Sequence, residues 1–587
     1  MADQATRAGG PSSTRRTHRT AARAALGAGA VVATLVLGAC SGGGAAEGEG
    51  ASSVGFDGSE GSAGSEGAAG GTLVYATGDA EPDCLDPHVG GNYPQALIST
   101  QYLEPLVGRD ASGRIQPWLA TDWEVSADGL TWDLTLADGI TFTDGTPLDA
   151  EAVKVNIEHL QDPDTASSTG YLAVAKIETV EAVDATHVRF HLSEPDSSLL
   201  ESLSQQWTAI QSPAGIARGM DANCAAPIGT GPFTVAEWVP QQHVILERNE
   251  DYATPGPGTE NTGPAHLERI EWRFIPDPAT RWAALRSGEV NVIDNPEPGA
   301  ITAAEAGEDI AHIDAPRPGS VNRIELNSGQ APFDDIRVRQ AFVLAADPNP
   351  GIASLYQGTA TRSYSPLSSV EPDAYSDPDL FNTDPARANE LLDEAGWTGR
   401  DDQGYRTRDG QRLTVAFPVS TNQSVAAEQS LFEQIQANEK AVGFEVVLTP
   451  LDLSAWYEAL AAPENPESPD AGYDYDAVSA PYTKVGPDVL RILYHSSGLT
   501  PAPSGYFANH AQIDDPALDA LLEEAAAATD PAERASLYTR AQQLVLEGYY
   551  ILPLYDQQNH FLVRGATGVR TLGTVATPTF VDARLTD

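Results

Sequence analysis

At 587 residues the chain is long enough to bury a large core and to divide into more than one lobe. A formal net charge of −49 argues against a surface for nucleic acid, whose phosphates need basic partners, and describes a strongly solvated exterior instead. Three cysteines are too few for a disulfide scaffold, and none lie at zinc-ligand spacing.

The first 39 residues read as a targeting segment. Arg15, Arg16, Arg19 and Arg23 precede an apolar run from Ala24 to Ala39, short for a membrane span and suited to the core of a signal peptide. Leu37-Gly38-Ala39-Cys40 resembles a bacterial lipobox, which implies cleavage before Cys40 and a diacylglycerol on its thiol; an uncleaved signal anchor is the other reading. Arg15-Arg16 fits a twin-arginine export signal weakly. Residues 40–71, rich in Gly, Ser, Ala and Glu, predict a disordered tether.

The folded body opens with a short buried strand at Thr72-Leu73-Val74-Tyr75-Ala76. Cys84 and Cys224 are expected to pair in an oxidising compartment, two separately buried thiols being the alternative. Trp132, Leu134 and Leu136 alternate with polar neighbours as a half-buried strand does. Asp128-Gly129, Asp138-Gly139 and Asp144-Gly145 mark tight turns of positive φ. Asp149 then caps a helix whose stripe is Val153, Ile157 and Leu160, ended by Asp162-Pro163. Thr186 to Leu192 alternates as a strand and puts His187 and His191 on one face, read as solvated rather than as metal ligands. Gly229-Thr230-Gly231-Pro232-Phe233 predicts a turn into a strand, since nothing in it matches a phosphate loop. Residues 274–294 predict strand, helix and strand, with Gly288 as the helix stop. Further on, Asp384-Pro385 with Gly396, and Asp530-Pro531 with Gly548, bracket two more helices.

The ordered run PWLATDWEVSADGLTWDLTLADGITFTDGTPLDAEAV, with GTGPF, the strand–helix–strand stretch and Arg323-Ile324-Glu325-Leu326-Asn327 before APFDDIRVRQA, resembles the family 5 extracellular solute-binding proteins, receptors of ABC importers. The resemblance implies an α/β, two-lobed periplasmic-binding-protein-like fold of type II with an extra small lobe, mixed sheets flanked by helices, and a hinge between lobes. The expected division is 72–114 with 227–325 and 550–587 as lobe I, 115–226 as the small lobe, and 326–549 as lobe II. Asn327 falls near the implied hinge, and Leu552-Pro553-Leu554-Tyr555 returns the chain to lobe I. The candidate ligand contacts are Tyr93, Tyr171, Trp207, Tyr482, Thr483 and Asp488.

The family's peptide binders carry a W-x-x-D-Y-P-D-P-like segment whose first aspartate meets the peptide's ammonium. Here Tyr482, Thr483 or Lys484 falls at that aspartate, and Asp488 survives further along. A buried ammonium without a carboxylate would cost several kcal/mol, roughly, so capture of the ordinary kind is in doubt. No H-E-x-x-H, nucleophile elbow or Walker loop is present, so the expectation is a binding protein, not an enzyme, without metal or cofactor. Its expected partners are a small-molecule or peptide ligand, an oligopeptide or dipeptide first, ABC transporter permease subunits, and the membrane through the lipid anchor. It is expected to be a monomer on the extracytoplasmic face of the cell membrane. A nickel chelate or oligosaccharide is the alternative ligand, and a sensor or chaperone role without import the alternative use of the fold.

Overall fold

A computed structural model describes residues 70–110, 113–421, 426–461, 472–480, 482 and 486–586. The signal segment, Cys40, Thr483 and Lys484 lie outside the described residues. Among the described residues no helix is long and apolar enough to cross a membrane.

The first lobe is built on a seven-stranded sheet, ordered Ala311–Pro316, Gln558–Val563, Val292–Asp294, Thr72–Thr77, Arg269–Phe274, His243–Arg248 and Phe233–Val239. Thr72–Thr77 is parallel to both its neighbours, and the other pairs are antiparallel. Parallel strands need a crossover. The helix Pro278–Ser287 supplies it between Arg269–Phe274 and Val292–Asp294, opened by Asp277, which accepts from the Thr280 N–H at 2.7 Å, and closed by Gly288 at φ 79°. The core beneath gathers on Tyr75, whose ring stacks on Trp272 with centroids 3.9 Å apart.

The small lobe is a four-stranded antiparallel sheet, Ala120–Val125, Thr131–Leu136, His187–Leu192 and Ile177–Ala182 in spatial order, with the helix Ala150–Gln161 packed on it. The helical stripe Val153, Ile157 and Leu160 is fully buried, and Asp149 accepts from the Ala152 N–H at 2.9 Å. Gly129, Gly139 and Gly145 all have positive φ, 72°, 77° and 82°, as the Asp-Gly pairs demand. The sulfurs of Cys84 and Cys224 are 1.99 Å apart, joining the loop after the first strand to the helix Met220–Ala225. GTGPF is more than a turn. Neither of its glycines has positive φ; a Cβ on Gly229 would sit 2.1 Å from the Tyr102 carbonyl oxygen, so close backbone approach is what requires glycine there.

The far lobe has its own core, from Ile324 to Tyr555. Its sheets include Ala477–Val478, Asn322–Leu326 and Ile551–Tyr555, and the parallel pair Thr414–Ser420 and Glu445–Leu451 joined by the helix Ala426–Val442. This moves the lobe boundary read from the sequence. Asn322–Leu326 and Ile551–Tyr555 pair with each other inside the far lobe, so the chain crosses at 317–321 and at Asp556-Gln557, not at Asn327 and 550. The two crossings hydrogen-bond to one another: Arg317 N–H donates to the Gln557 carbonyl at 2.9 Å and Gln557 Nε2 to that of Ser320 at 2.7 Å. Asn327 is buried beyond the crossing, where its side chain donates to the Tyr475 carbonyl at 3.1 Å.

Candidate functional site

In open α/β sheets, ligands collect outside the carboxyl ends of parallel strands. All three parallel strands of the first lobe lead their following loops to one cavity: Gly78, Asp79 and Glu81 after Thr72–Thr77, Pro276 and Pro278 after Arg269–Phe274, and Asn295 and Glu297 after Val292–Asp294. The cavity measures about 1120 Å³, and its opposite wall comes from the far lobe.

A buried polar module sets the loop at Gly78. The Asp294 carboxylate accepts from Thr77 Oγ1 at 2.6 Å, Tyr75 OH at 2.8 Å and Gly78 N–H at 2.7 Å. Beside it Arg281 donates to the carbonyls of Ile275, Pro276 and Asn295. A Cβ on Gly78 would fall 2.3 Å from that guanidinium, which explains the glycine. Asp79 is thus presented to the cavity, with Oδ1 accepting from Asn295 Nδ2 at 2.9 Å and Oδ2 without a hydrogen-bond partner. Burial, then the neighbouring Asp294 charge, raises its pKa to about 7, against the pull of Arg317 and Arg281.

Tyr93 stands at the first turn of the helix Tyr93–Ser99. Asn92 and Gln95 form a capping box there, and Gln95 Oε1 also accepts from the Gly91 N–H at 2.9 Å. The Tyr93 hydroxyl accepts from Asn559 Nδ2 at 2.6 Å, and the Arg317 guanidinium lies 4.3 Å from its ring centroid. Trp207 is buried against the same loop, its Nε1 donating to the Asn92 carbonyl at 3.0 Å.

On the far wall, Asp452 caps the helix Leu453–Leu460 by accepting from the Ala455 N–H at 2.9 Å, and Tyr457 and Glu458 of that helix line the cavity. Tyr457 meets Tyr506 edge-on, and Phe507 packs 5.2 Å from His510. His510 Nδ1 is 3.4 Å from Glu325 Oε2, and Glu325 is paired in turn with Arg323.

Of the residues expected from sequence, Tyr93, Trp207 and Tyr482 line this cavity. Tyr171 does not: it sits half-buried on the helix Thr169–Val174, and Ser168 and Thr169 face the space instead. Asp488 is fully buried inside the far lobe, where it pairs with Arg491 at 3.2 Å, one helical turn on, and takes the Tyr538 hydroxyl. It is a packing charge, not a ligand contact. Asp79, Arg317, Asp452, Tyr457 and His510 are cavity residues that the sequence reading missed. A usable signal for Asp79 was its place just past the first strand.

Two lobes flanking a polar cavity at the ends of parallel strands define a solute-receptor class of protein. A family model described as bacterial extracellular solute-binding proteins, family 5 Middle, matches residues 114–500, and the chain belongs to that family. It is a solute-binding protein of ABC import, placed outside the cytoplasm, and its relatives are binding proteins rather than enzymes. The glutathione-binding protein GsiB of Shigella dysenteriae serotype 1 is 28% identical over 477 residues, 80% of this chain and 86% of the relative. The periplasmic binding protein DppA of Helicobacter pylori, solved with the peptide STSA, superposes with a TM-score of 0.74 at 22% identity, covering 89% of this chain and 99% of that one. NikA of Brucella suis, solved with Fe(III)-EDTA, gives 0.70 at 27% identity over 87% of this chain and all of the other.

Proposed function

We propose that the chain is a lipid-anchored receptor that delivers an oligopeptide or dipeptide to ABC transporter permease subunits, acting as a monomer on the extracytoplasmic face of the cell membrane. Cys40 is the proposed lipid attachment, and segments 317–321 and 556–557 the proposed hinge about which the lobes shift when ligand binds.

The observation that carries the peptide reading is the cavity itself. At about 1120 Å³ it exceeds the usual range of roughly 300–1,000 Å³ for drug-sized ligands. Its walls carry carboxylates from both lobes, Asp79, Glu81, Asp83 and Glu297 facing Asp452 and Glu458, with Arg317 between. Such a space suits an elongated solute that brings its own ammonium. Asp79 would then take the place of the aspartate missing near Tyr482.

The test is a titration of the folded body with short peptides, metal chelates and oligosaccharides, followed by tryptophan fluorescence. Trp207 lines the cavity and Trp456 lies buried in the helix of the opposite wall, so a bound peptide changes their emission. Saturable responses to chelates or oligosaccharides alone overturn the peptide reading. A labelled fatty acid fed to the cells should mark the wild-type protein and not Cys40→Ala; a wild type that takes up no label overturns the lipid anchor.

A further inference from the structure

A second cluster of polar groups lies where the first lobe meets the small lobe, and none of its members lines the ligand cavity. Asp86, His88 and His159 each bring one ligand atom to within 4.8 Å of the others. Asp86 and His88 belong to the loop that begins at the disulfide-bonded Cys84, and His159 to the last turn of the helix Ala150–Gln161.

The surroundings are those of a ligand set already aimed. His88 is fully buried. Its Nε2 lies 2.9 Å from the Ala209 carbonyl oxygen, which can only accept, so that nitrogen carries the ring proton. The lone pair left on His88 Nδ1 has no hydrogen-bond partner. His159 is held at both nitrogens, Nδ1 3.0 Å from Thr165 Oγ1 and Nε2 3.1 Å from Asp86 Oδ2. The carboxylate accepts, so Nε2 carries the proton in this arrangement, and a metal ion would displace it to Nδ1, where the Thr165 hydroxyl can accept it. Asp86 is held in turn by Gln211 Nε2 at 2.6 Å, by Asn223 Nδ2 at 2.8 Å and by the His88 backbone N–H at 2.9 Å. Metal-ligating imidazoles are oriented in this way, with the second ring nitrogen fixed by a carbonyl or hydroxyl.

We propose that Asp86, His88 and His159 bind one divalent transition-metal ion of the zinc class, which clamps the helix Ala150–Gln161 to the loop leading to Tyr93. Two imidazoles select against calcium and magnesium, which favour all-oxygen sites, and a mixed nitrogen and oxygen set suits zinc. Three protein ligands leave one position for water. The proposal departs from the sequence expectation of no metal.

The experiment uses the full chain made without an affinity tag, stripped with chelator and reloaded with zinc chloride. Elemental analysis should find one zinc per chain, and the melting temperature should rise with zinc concentration. His88→Ala and His159→Gln should each bring the stoichiometry close to zero, the glutamine keeping a donor toward Asp86. His312→Ala, in the separate His312–His560 pair, should leave it at one. No zinc on the wild type, undiminished zinc on the His88 and His159 variants, or loss only on His312→Ala would each overturn the proposal. Should neither His88 nor His159 variant fold, cobalt on the wild-type chain decides: the intense visible bands of a four-coordinate ion support the site, and the weak bands of a hydrated octahedral ion refute it.

Discussion

Replacing Glu104 by glutamine should stabilise the protein at neutral pH and leave it unchanged in acid. Glu104 is buried at the junction of the first and small lobes, with Thr230 Oγ1 and Thr254 Oγ1 donating to Oε2 at 2.6 and 2.5 Å and Tyr252 OH 2.9 Å from Oε1. Burial pushes its pKa from an ordinary 4.5 up to about 7, although these hydroxyls pull it down. The protonated acid fits the site. Its own O–H can go to Tyr252, whose hydroxyl hydrogen then goes to the Thr254 carbonyl, also 2.9 Å away. Between pH 4.5 and 7 the unfolded chain has lost this proton while the native one keeps it, so stability falls as pH rises through that window and is level above it. At about 1.4 kcal/mol per pH unit, the wild type gives up about 3 kcal/mol. A glutamine amide makes the same donation to Tyr252 and never ionises. Urea unfolding followed by circular dichroism should therefore show a gap near zero at about pH 4.5 that grows to about 3 kcal/mol in favour of Glu104→Gln at about pH 8. A gap that does not change with pH, or a variant less stable at pH 8, refutes the reasoning.

Three further outcomes follow from the same geometry. Gly231→Ala would put a Cβ 2.6 Å from the Tyr102 carbonyl carbon, which is backbone and cannot step aside, so thermal unfolding should show a loss of about 3 kcal/mol. Cys84→Ala opens a loop of 140 residues and should lower stability by about 5 kcal/mol in the chain-entropy account, as should reductant on the wild type. Asp79, with its pKa near 7, should bind a peptide ammonium more tightly as pH rises from about 6 to 8; titration calorimetry should show that dependence, and Asp79→Asn should abolish it.

Apart from the Cys84–Cys224 bond, what could be read from the sequence was local, and what could not was which distant strand a buried strand pairs with. The Asp-Gly turns, the Asp149 cap, the Gly288 stop and the Val153-Ile157-Leu160 stripe are each decided within a few residues, and all stand where they were expected. Asn322–Leu326 is different, because it is buried throughout and carries no alternation to say which sheet it joins. Only its pairing with Ile551–Tyr555, more than two hundred residues away, assigns it to the far lobe and moves the crossing to 317–321. The site divides in the same way. Trp207 and Tyr93 meet in one loop through a hydrogen bond at Asn92, next to Tyr93 in sequence. Asp488 kept the right residue type in the right neighbourhood, yet an arginine three places on offered it a partner inside the lobe.

The segment 317–321 also explains how a solute in the cavity would be felt by both lobes. Arg317 at its start lies over Tyr93 on the near wall. Ser320, three residues later, donates to the Tyr482 carbonyl on the far wall through both its backbone N–H at 3.3 Å and its Oγ at 2.7 Å. A ligand shifts an equilibrium between lobe arrangements only by the difference in its free energy between them. Contacts confined to one wall supply no such difference when that wall moves as a rigid body. A solute that bridges Asp79 on one side and Asp452 or Tyr457 on the other does supply it, because its span is fixed while the distance between those residues is not. On the proposed hinge, then, ligand length as well as ligand charge decides which solutes draw the lobes together: of two peptides with the same ammonium, the one that reaches both walls should change the lobe arrangement, and the shorter one should bind without doing so.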